Sequence, residues 1–218
     1  MKLVMERVAQ VAEFRRASTK ASTRALAAYP SLFAEIRQPT TAYLALPRVS
    51  SERRPYVPLG FLPQTHIAGD KIQTVANATN FHFGVLSSVM HMAWMRTVTG
   101  RLKSDYQYSA LIVYNNFPWP ESPTTKQKAA IEQAAQVVLD TRAKYPDSSL
   151  ADLYDPLTMP ADLLKAHQKL DKAVDAAYGK RTFATEAERV AYLFELYQKL
   201  TEPLMAVEGK KGKRSKIV

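Results

Sequence analysis

Apolar residues return every three to four positions at the start of the chain: Val4, Val8, Val11 and Phe14 line one side of a helix, with Arg7, Arg15 and Arg16 between or beside them. Pro30 and Pro39 follow, so this helical region ends near Tyr29. The texture changes at Thr41. Tyr43-Leu44-Ala45-Leu46 and Tyr56-Val57-Pro58-Leu59-Gly60-Phe61-Leu62 read as short strands on either side of the polar turn from Ser50 to Pro55, with Pro58 consigning the second to an edge or an irregular course. Lys71-Ile72-Gln73-Thr74-Val75 is a third candidate strand. Helical spacing resumes over residues 81–98, where Phe83, Leu86, Met90, Trp94 and Val98 form one stripe and Gly100 supplies a stop. A polar and aromatic loop over residues 101–109 leads to a strand, Ala110-Leu111-Ile112-Val113-Tyr114. Asn116-Phe117-Pro118-Trp119-Pro120 ends it, because two prolines around a tryptophan stop any regular element.

Beyond Pro120 the pattern is helical throughout. Thr124 and Gln127 are spaced as a capping box ahead of Ile131, Ala134 and Val138, and Thr185 and Glu188 repeat the device before Val190, Leu193, Phe194 and Tyr197. Pro160 suits the first turn of a helix carrying Leu163, His167, Leu170, Val174 and Tyr178 on one side. The expected fold class is therefore α+β: a small mixed α/β domain over residues 1–120, with its basic N-terminal helix, followed by a C-terminal antiparallel helical bundle over residues 121–205. Residues 206–218, rich in lysine and arginine, are expected to be a disordered tail.

Charge alters this picture by its placement. The net +10 divides into +6 over residues 1–60 (ten Lys/Arg, four Asp/Glu), +2 over 61–120 (four, two), −2 over 121–205 (eleven, thirteen) and +4 over 206–218 (five, one). A field confined to the first half and the tail suits a protein with one part facing a polyanion. No apolar run reaches the ~18 residues that span a bilayer, and the first residues mix charge into their apolar positions, unlike a secretory leader. The chain has no cysteine, which excludes disulfides, thiolate catalysis and cysteine-ligated metals and accords with a cytoplasmic setting.

The search for catalytic chemistry returns little. The sequence holds no G-x-G-x-x-G, no P-loop, no H-E-x-x-H and no G-x-S-x-G, and its four histidines do not cluster. His82 and His91 are separated by about two and a half turns of helix. His167 falls on an apolar stripe, as a satisfied core histidine would. In Asn116-Phe117-Pro118-Trp119-Pro120 aromatic residues interrupt the prolines that amino-methylating enzymes set directly after their Asn or Asp, so it reads as a hydrophobic plug. Recognition chemistry is better represented. Arg48, Arg53 and Arg54 bracket a turn between strands, where guanidinium groups suit phosphates or guanine edges. Arg101, Lys103, Tyr106, Gln107 and Tyr108 bring charge, amide and ring into one loop, with Lys103 suited to phosphate and Gln107 to adenine. The same residues also fit a salt-bridged surface loop whose two tyrosines pack inward.

Several long strings carry a likeness. Leu32-Phe33-Ala34-Glu35-Ile36-Arg37-Gln38-Pro39, Leu46-Pro47-Arg48-Val49-Ser50-Ser51-Glu52-Arg53-Arg54 and Tyr56-Val57-Pro58-Leu59-Gly60-Phe61 resemble the start of the target-recognition domain of large single-chain adenine methyltransferases, the type IIL and related type IIG restriction–modification enzymes. Phe83-Gly84-Val85-Leu86-Ser87-Ser88, Gly100-Arg101-Leu102 and Asn116-Phe117-Pro118-Trp119-Pro120 are similar to its middle and end, and Leu150-Ala151-Asp152-Leu153-Tyr154-Asp155-Pro156 to the closing helical region. The resemblance implies binding of double-stranded DNA at a specific site and methylation of adenine N6 there. It also implies that S-adenosylmethionine binding and catalysis belong to a methyltransferase domain acting in cis or in trans, since this sequence lacks the motifs for both and no cofactor or metal is expected on it. The bundle would brace the reader against that domain, like the helical spacers of type I specificity subunits. A second expectation is a detached specificity or assembly subunit that recruits a separate methyltransferase.

Overall fold

In the computed structural model, residues 1–179 and 183–211 are described, with side chains to residue 202. The chain forms two compact units, Met1–Gln38 and the remainder from Pro39 on.

The first unit contains α1 (Lys2–Arg16), α2 (Ala21–Ala25) and a single 3-10 turn, Leu26–Ala28, so its helical region does end beside Tyr29. Arg15 holds it together by donating to the carbonyl oxygens of Leu26 (3.0 Å), Tyr29 (2.7 Å) and Leu32 (2.6 Å). These carbonyls at the end of the helical region thereby gain a charged donor, and those of Leu26 and Tyr29 also accept from the backbone N–H groups of Tyr29 and Leu32.

The second unit opens with β1 (Tyr43–Pro47) and β2 (Val49–Ser50), separated by Arg48. β1 is the centre of an antiparallel sheet, flanked by β3 (Gly60–Leu62) and β4 (Ile72–Ala76). The candidate strand over residues 56–62 shrinks to β3 for a local reason. Pro58 has no N–H, and the Val57 carbonyl accepts from Leu59 N at 2.9 Å, turning the backbone inward instead of along a ladder. The predicted helix over 81–98 is two helices, α3 (Asn80–Leu86) and α4 (Val89–Val98). Ser88 breaks it: its hydroxyl donates to the Val85 carbonyl at 2.7 Å and accepts from His91 N at the start of α4. Residues 101–109, read as a loop, contain the hairpin β5 (Gly100–Leu102) and β6 (Asp105–Gln107), with β2 as its third strand.

The expected strand Ala110–Tyr114 is instead a π-helical turn, closed by Asn115 N donating to the Ala110 carbonyl at 2.8 Å. Trp94 Nε1 takes the Val113 carbonyl, and Asn116 Nδ2 donates to the carbonyls of Leu111 and Ile112. No neighbouring strand is needed once indole and amide donors have met the wide turn's carbonyls. The second half holds α5 (Thr125–Arg142), α6 (Leu150–Leu153), α7 (Ala161–Ala177) and α8 (Glu186–Lys211), an all-helical bundle as the spacing predicts. The Thr124–Gln127 capping box forms in both directions. At Thr185 only half does, because Glu188 reaches back to Ala184 N instead. α8 runs on to Lys211, into the segment expected to be a tail from residue 206; residues 212–218 lie outside the described residues.

The buried core of this second unit passes position 120 without interruption. α5 packs on α3 and α7, and α8 packs on α4 through Trp94, which lies 5.4 Å from the Phe194 ring and 5.7 Å from that of Tyr197. The sheet and the bundle thus share one interior. Gly84 sets the closeness of α3 to its neighbours: a Cβ there would stand 2.7 Å from Ile131 Cγ2, 3.2 Å from Leu170 Cδ1 and 3.3 Å from Ala135 Cβ.

A polar cluster runs through the same core. Arg142, on α5, is 9% exposed; its Nε donates to the Tyr154 hydroxyl at 2.7 Å, Nη2 donates to the same oxygen, and Nη1 donates to the Leu59 carbonyl at 2.5 Å. Tyr154 Oη also lies 2.6 Å from His167 Nε2 on α7, and the Tyr56 ring stacks on His167 at 4.1 Å. Tyr56 donates to Asp171 Oδ2 (2.7 Å), and Asp171 Oδ1 accepts from Val89 N (2.8 Å), capping α4 from another helix. Burial lowers His91 and His167 to about 3, with the Arg142 charge adding to the effect on His167. Burial raises the Asp171 carboxyl to about 6 against the opposing pull of its Val89 and Tyr56 donors.

Two outcomes follow. Gly84→Ala gains about 1 kcal/mol in helix propensity but forces a β-branched neighbour aside, which costs about 1–3 kcal/mol. The net effect is a lower urea midpoint with an unchanged m-value. The second outcome concerns pH. Below about pH 6.5 the unfolded chain protonates both histidines while the folded chain does not, so acid removes stability; Asp171 opposes this, since between about pH 4 and 6 only the folded chain keeps its proton. Between them these three groups leave the unfolded state one proton richer in that window, a loss of about 1.4 kcal/mol per unit of acidification, and His82, which burial also lowers, acts in the same sense as the other histidines. Asp171→Asn removes the opposing proton and steepens the slope by about 1.4 kcal/mol per pH unit, measured by urea unfolding between pH 4 and 6.

Candidate nucleic-acid interface

Arg48 stands where one strand leaves a sheet and enters the next. Its N–H donates to the Lys71 carbonyl, continuing the ladder between β1 and β4, and its carbonyl accepts from Tyr108 N, continuing the ladder between β2 and β6, both at 2.8 Å. Its guanidinium donates to the Asp70 carbonyl at 3.0 Å. β2 pairs with β6 in the register Val49↔Gln107 and Ser50↔Tyr106, and β6 pairs with β5 as Gly100↔Gln107, Arg101↔Tyr106 and Leu102↔Asp105. The two basic segments, some 50 residues apart in sequence, are therefore joined in one three-stranded sheet.

Alternation along the strands divides the candidates between two faces. Ser50, Tyr106 and Arg101 share one face, while Val49, Gln107, Gly100, Asp105 and Leu102 share the other. Arg101 and Gln107 thus cannot approach a ligand from the same side of this sheet. The Arg101 guanidinium lies 4.5 Å from the Tyr106 ring centroid, is 3.0 Å from Glu52 Oε2 and donates to the Ser104 carbonyl at 2.8 Å. Ring, carboxylate and carbonyl fix its direction while leaving it exposed. Lys103 sits at the tip with φ of +57°, exposed, and no carboxylate among the described residues pairs with it.

Arg53 is exposed and lies 3.9 Å from Asp155, beyond α6. Arg54 is half-buried, its Nε has no partner, and its carbonyl accepts from Arg96, which also pairs with Glu186 at 2.5 Å. The two tyrosines belong to the interior. Tyr106 is buried beneath Arg101, and Tyr108 is buried with its hydroxyl 3.0 Å from His91 Nε2, where burial also raises its pKa. Of the eight candidates, Arg53, Arg101, Lys103 and Gln107 present exposed side chains, Arg48 and Arg54 partly buried ones, and the tyrosines set the hairpin's height from below. Glu52 and Asp155, which orient two of these arginines, escaped the sequence reading. The Ser51-Glu52-Arg53-Arg54 string offered a signal for Glu52 alone.

Asn116-Phe117-Pro118-Trp119-Pro120 does pack as a plug, though after a π-helical turn rather than a strand. Phe117 is buried against His91, with ring centroids 4.6 Å apart, and Trp119 meets Phe81, His82, Tyr114 and Phe117. Tyr178 donates to the Pro118 carbonyl at 2.9 Å, fastening the plug to the bundle. His82 closes the start of α3, its Nδ1 accepting from Thr79 N at 3.1 Å. Among the described residues no three His, Asp or Glu side chains are grouped to hold a metal ion, and no helix is long and apolar enough to cross a membrane.

Comparison with known proteins agrees with this organisation. Residues 1–121 match the family described as MmeI, target recognition domain, and residues 123–205 match MmeI, C-terminal domain. DNA methyltransferase A of Bacillus subtilis (strain 168) is 40% identical over 200 residues, which are 92% of this chain and 22% of that protein. A solved structure of the type IIL restriction–modification enzyme MmeI in complex with DNA superposes with a TM-score of 0.86 at 51% identity, over 92% of this chain and 27% of that one. The chain spans about a quarter of the length of these relatives. It belongs to the MmeI family of type IIL and IIG restriction–modification adenine methyltransferases, in which it corresponds to the target-recognition and C-terminal domains.

Proposed function

We propose that this chain reads a specific duplex DNA sequence on behalf of an adenine-N6 methyltransferase whose catalytic region acts in cis or in trans. The observation that carries the reading is the pairing of β2 with β6, which joins the Arg48–Arg54 turn and the Arg101–Gln107 hairpin in one three-stranded sheet, with Arg53, Arg101, Lys103 and Gln107 exposed on it and around it. Both relatives point the same way: one bears the name of a DNA methyltransferase and the other was solved with DNA. Lys103 and Arg53 meet phosphates and set the position of the duplex, while Gln107 and the held Arg101 address base edges from opposite faces of the hairpin. Arg48 contributes by fixing the angle between the two sheets. Sequence-specific reading favours a rigid donor, and of the two exposed candidate arginines Arg101 is the more constrained.

The target adenine leaves the stack for the methyltransferase region, where S-adenosylmethionine supplies the methyl group. Such a partnership places the protein with the chromosome in the cytoplasm. Lys103→Ala should weaken binding about equally on all duplexes and lower the slope of log affinity against log salt by about 1. Arg101→Ala should weaken binding to the target duplex by about tenfold or more and blur the preference over a one-base-changed duplex. Fluorescence anisotropy with both duplexes at several salt concentrations reads the two effects. Unchanged affinity and preference in the Arg101 variant would remove that residue from the interface.

A further inference from the structure

The unit Met1–Gln38 exposes an apolar surface out of proportion to its size. Ten of its large apolar side chains are exposed, the same number as across all the described side chains that follow it. Its buried hydrophobic residue is Ala12 alone. Segments of fewer than about 40 residues rarely close a core without outside help, and a concentration of this kind marks an interaction surface. Among the described side chains the bundle has no comparable concentration, because its apolar stripes are spent in the core.

Within the unit, Arg15 fixes where the chain leaves the helical region by holding the carbonyls of Leu26, Tyr29 and Leu32. Phe33 and Ile36 follow at once, each 71% exposed, in a stretch with no regular element, beside the exposed ion pair of Glu35 and Arg37 at 2.7 Å. Two large anchors on a short braced segment, rimmed by charge, have the composition of a protein–protein hot spot. We infer that Met1–Gln38 is a docking arm for the methyltransferase region, with Phe33 and Ile36 as the anchors that enter an apolar depression on it. The inference rests on the reading that such a region works beside this chain. The matched part makes up only 22% and 27% of the relatives' lengths, so most of each relative is further protein able to cover this face. A phosphate backbone offers these two side chains nothing.

The test joins the full chain to its own methyltransferase region supplied as a separate polypeptide and measures the dissociation constant by calorimetry. The double variant Phe33→Asp, Ile36→Asp should bind that region about 30-fold more weakly or worse. Its circular dichroism, its thermal midpoint and the chain's own affinity for duplex DNA should be unchanged. Unchanged association would overturn the inference. So would a fall in the thermal midpoint, which would make the second unit the occupant, or a wild-type dimer that dissociates in the variant, which would make it a second copy. A fall in DNA affinity of the chain alone would make DNA the occupant. A wild-type chain that ignores duplex DNA yet binds the methyltransferase region through Phe33 and Ile36 sinks the reader proposal and leaves the arm standing.

Discussion

Arg142 is a guanidinium in the middle of the core with no ion pair to a carboxylate among the described residues. Taking such a charge from water costs several kcal/mol, and only a full set of acceptors makes it tolerable. Its acceptors come from two directions: the Leu59 carbonyl from the turn before β3 and the Tyr154 hydroxyl from the end of α6, while the rings of Phe83 and Tyr154 cover its faces at 5.0 and 4.8 Å. No two of these elements can shift apart without stranding it. From Tyr154 the network passes to His167, by stacking to Tyr56, and through Asp171 to the first N–H of α4. A chain of directional contacts therefore sets the register of α5, α7 and α4 against the sheets, a constraint that apolar packing alone would leave looser.

That constraint explains why the second unit has one interior although two family domains meet near residue 122. The turn containing Arg53 and Arg54 begins just past β2 and ends just before Tyr56, which is locked to α7. Arg53 reaches Asp155 beyond α6, and Arg96 links the Arg54 carbonyl to Glu186 at the start of α8. The helical half thus supports the basic surface directly, through side chains it sends to that turn. The bracing seen within this chain runs inward, toward that turn.

Elements whose spacing reports their own burial were legible in the sequence. β1, α5 and α7, with the Thr124 capping box and the buried His167, lie where periodicity and local chemistry put them. The misreadings share a cause, in that partners distant in sequence decided the backbone. Ala110–Tyr114 has the composition of a strand, but Trp94 and Asn116 satisfy its carbonyls and leave it a π-helical turn. The stripe from Phe83 to Val98 continues in projection across two helices, and only Ser88 and the remote Asp171 show where it breaks. At the interface, residue types revealed chemistry but not side. Nothing in Arg101-Leu102-Lys103-Ser104-Asp105-Tyr106-Gln107 discloses a hairpin register that puts Arg101 and Gln107 on opposite faces.

The register also settles how the two tyrosines matter. The hairpin is a salt-bridged element with its tyrosines packed inward, and it carries exposed donors. Tyr108 bonds His91 on α4 through its side chain and Arg48 through its backbone, so the end of β6 is tied to the core and to the sheet junction at one residue. Tyr106 supports the Arg101 guanidinium from beneath, with Glu52 beside it. A donor so held loses little conformational entropy on meeting a base edge, whereas a free arginine would give up as much as ~2 kcal/mol of rotamer freedom. On the proposed reading the buried aromatics act by removing motion from the residues above them, and the contrast between constrained Arg101 and unconstrained Lys103 follows from what lies under each.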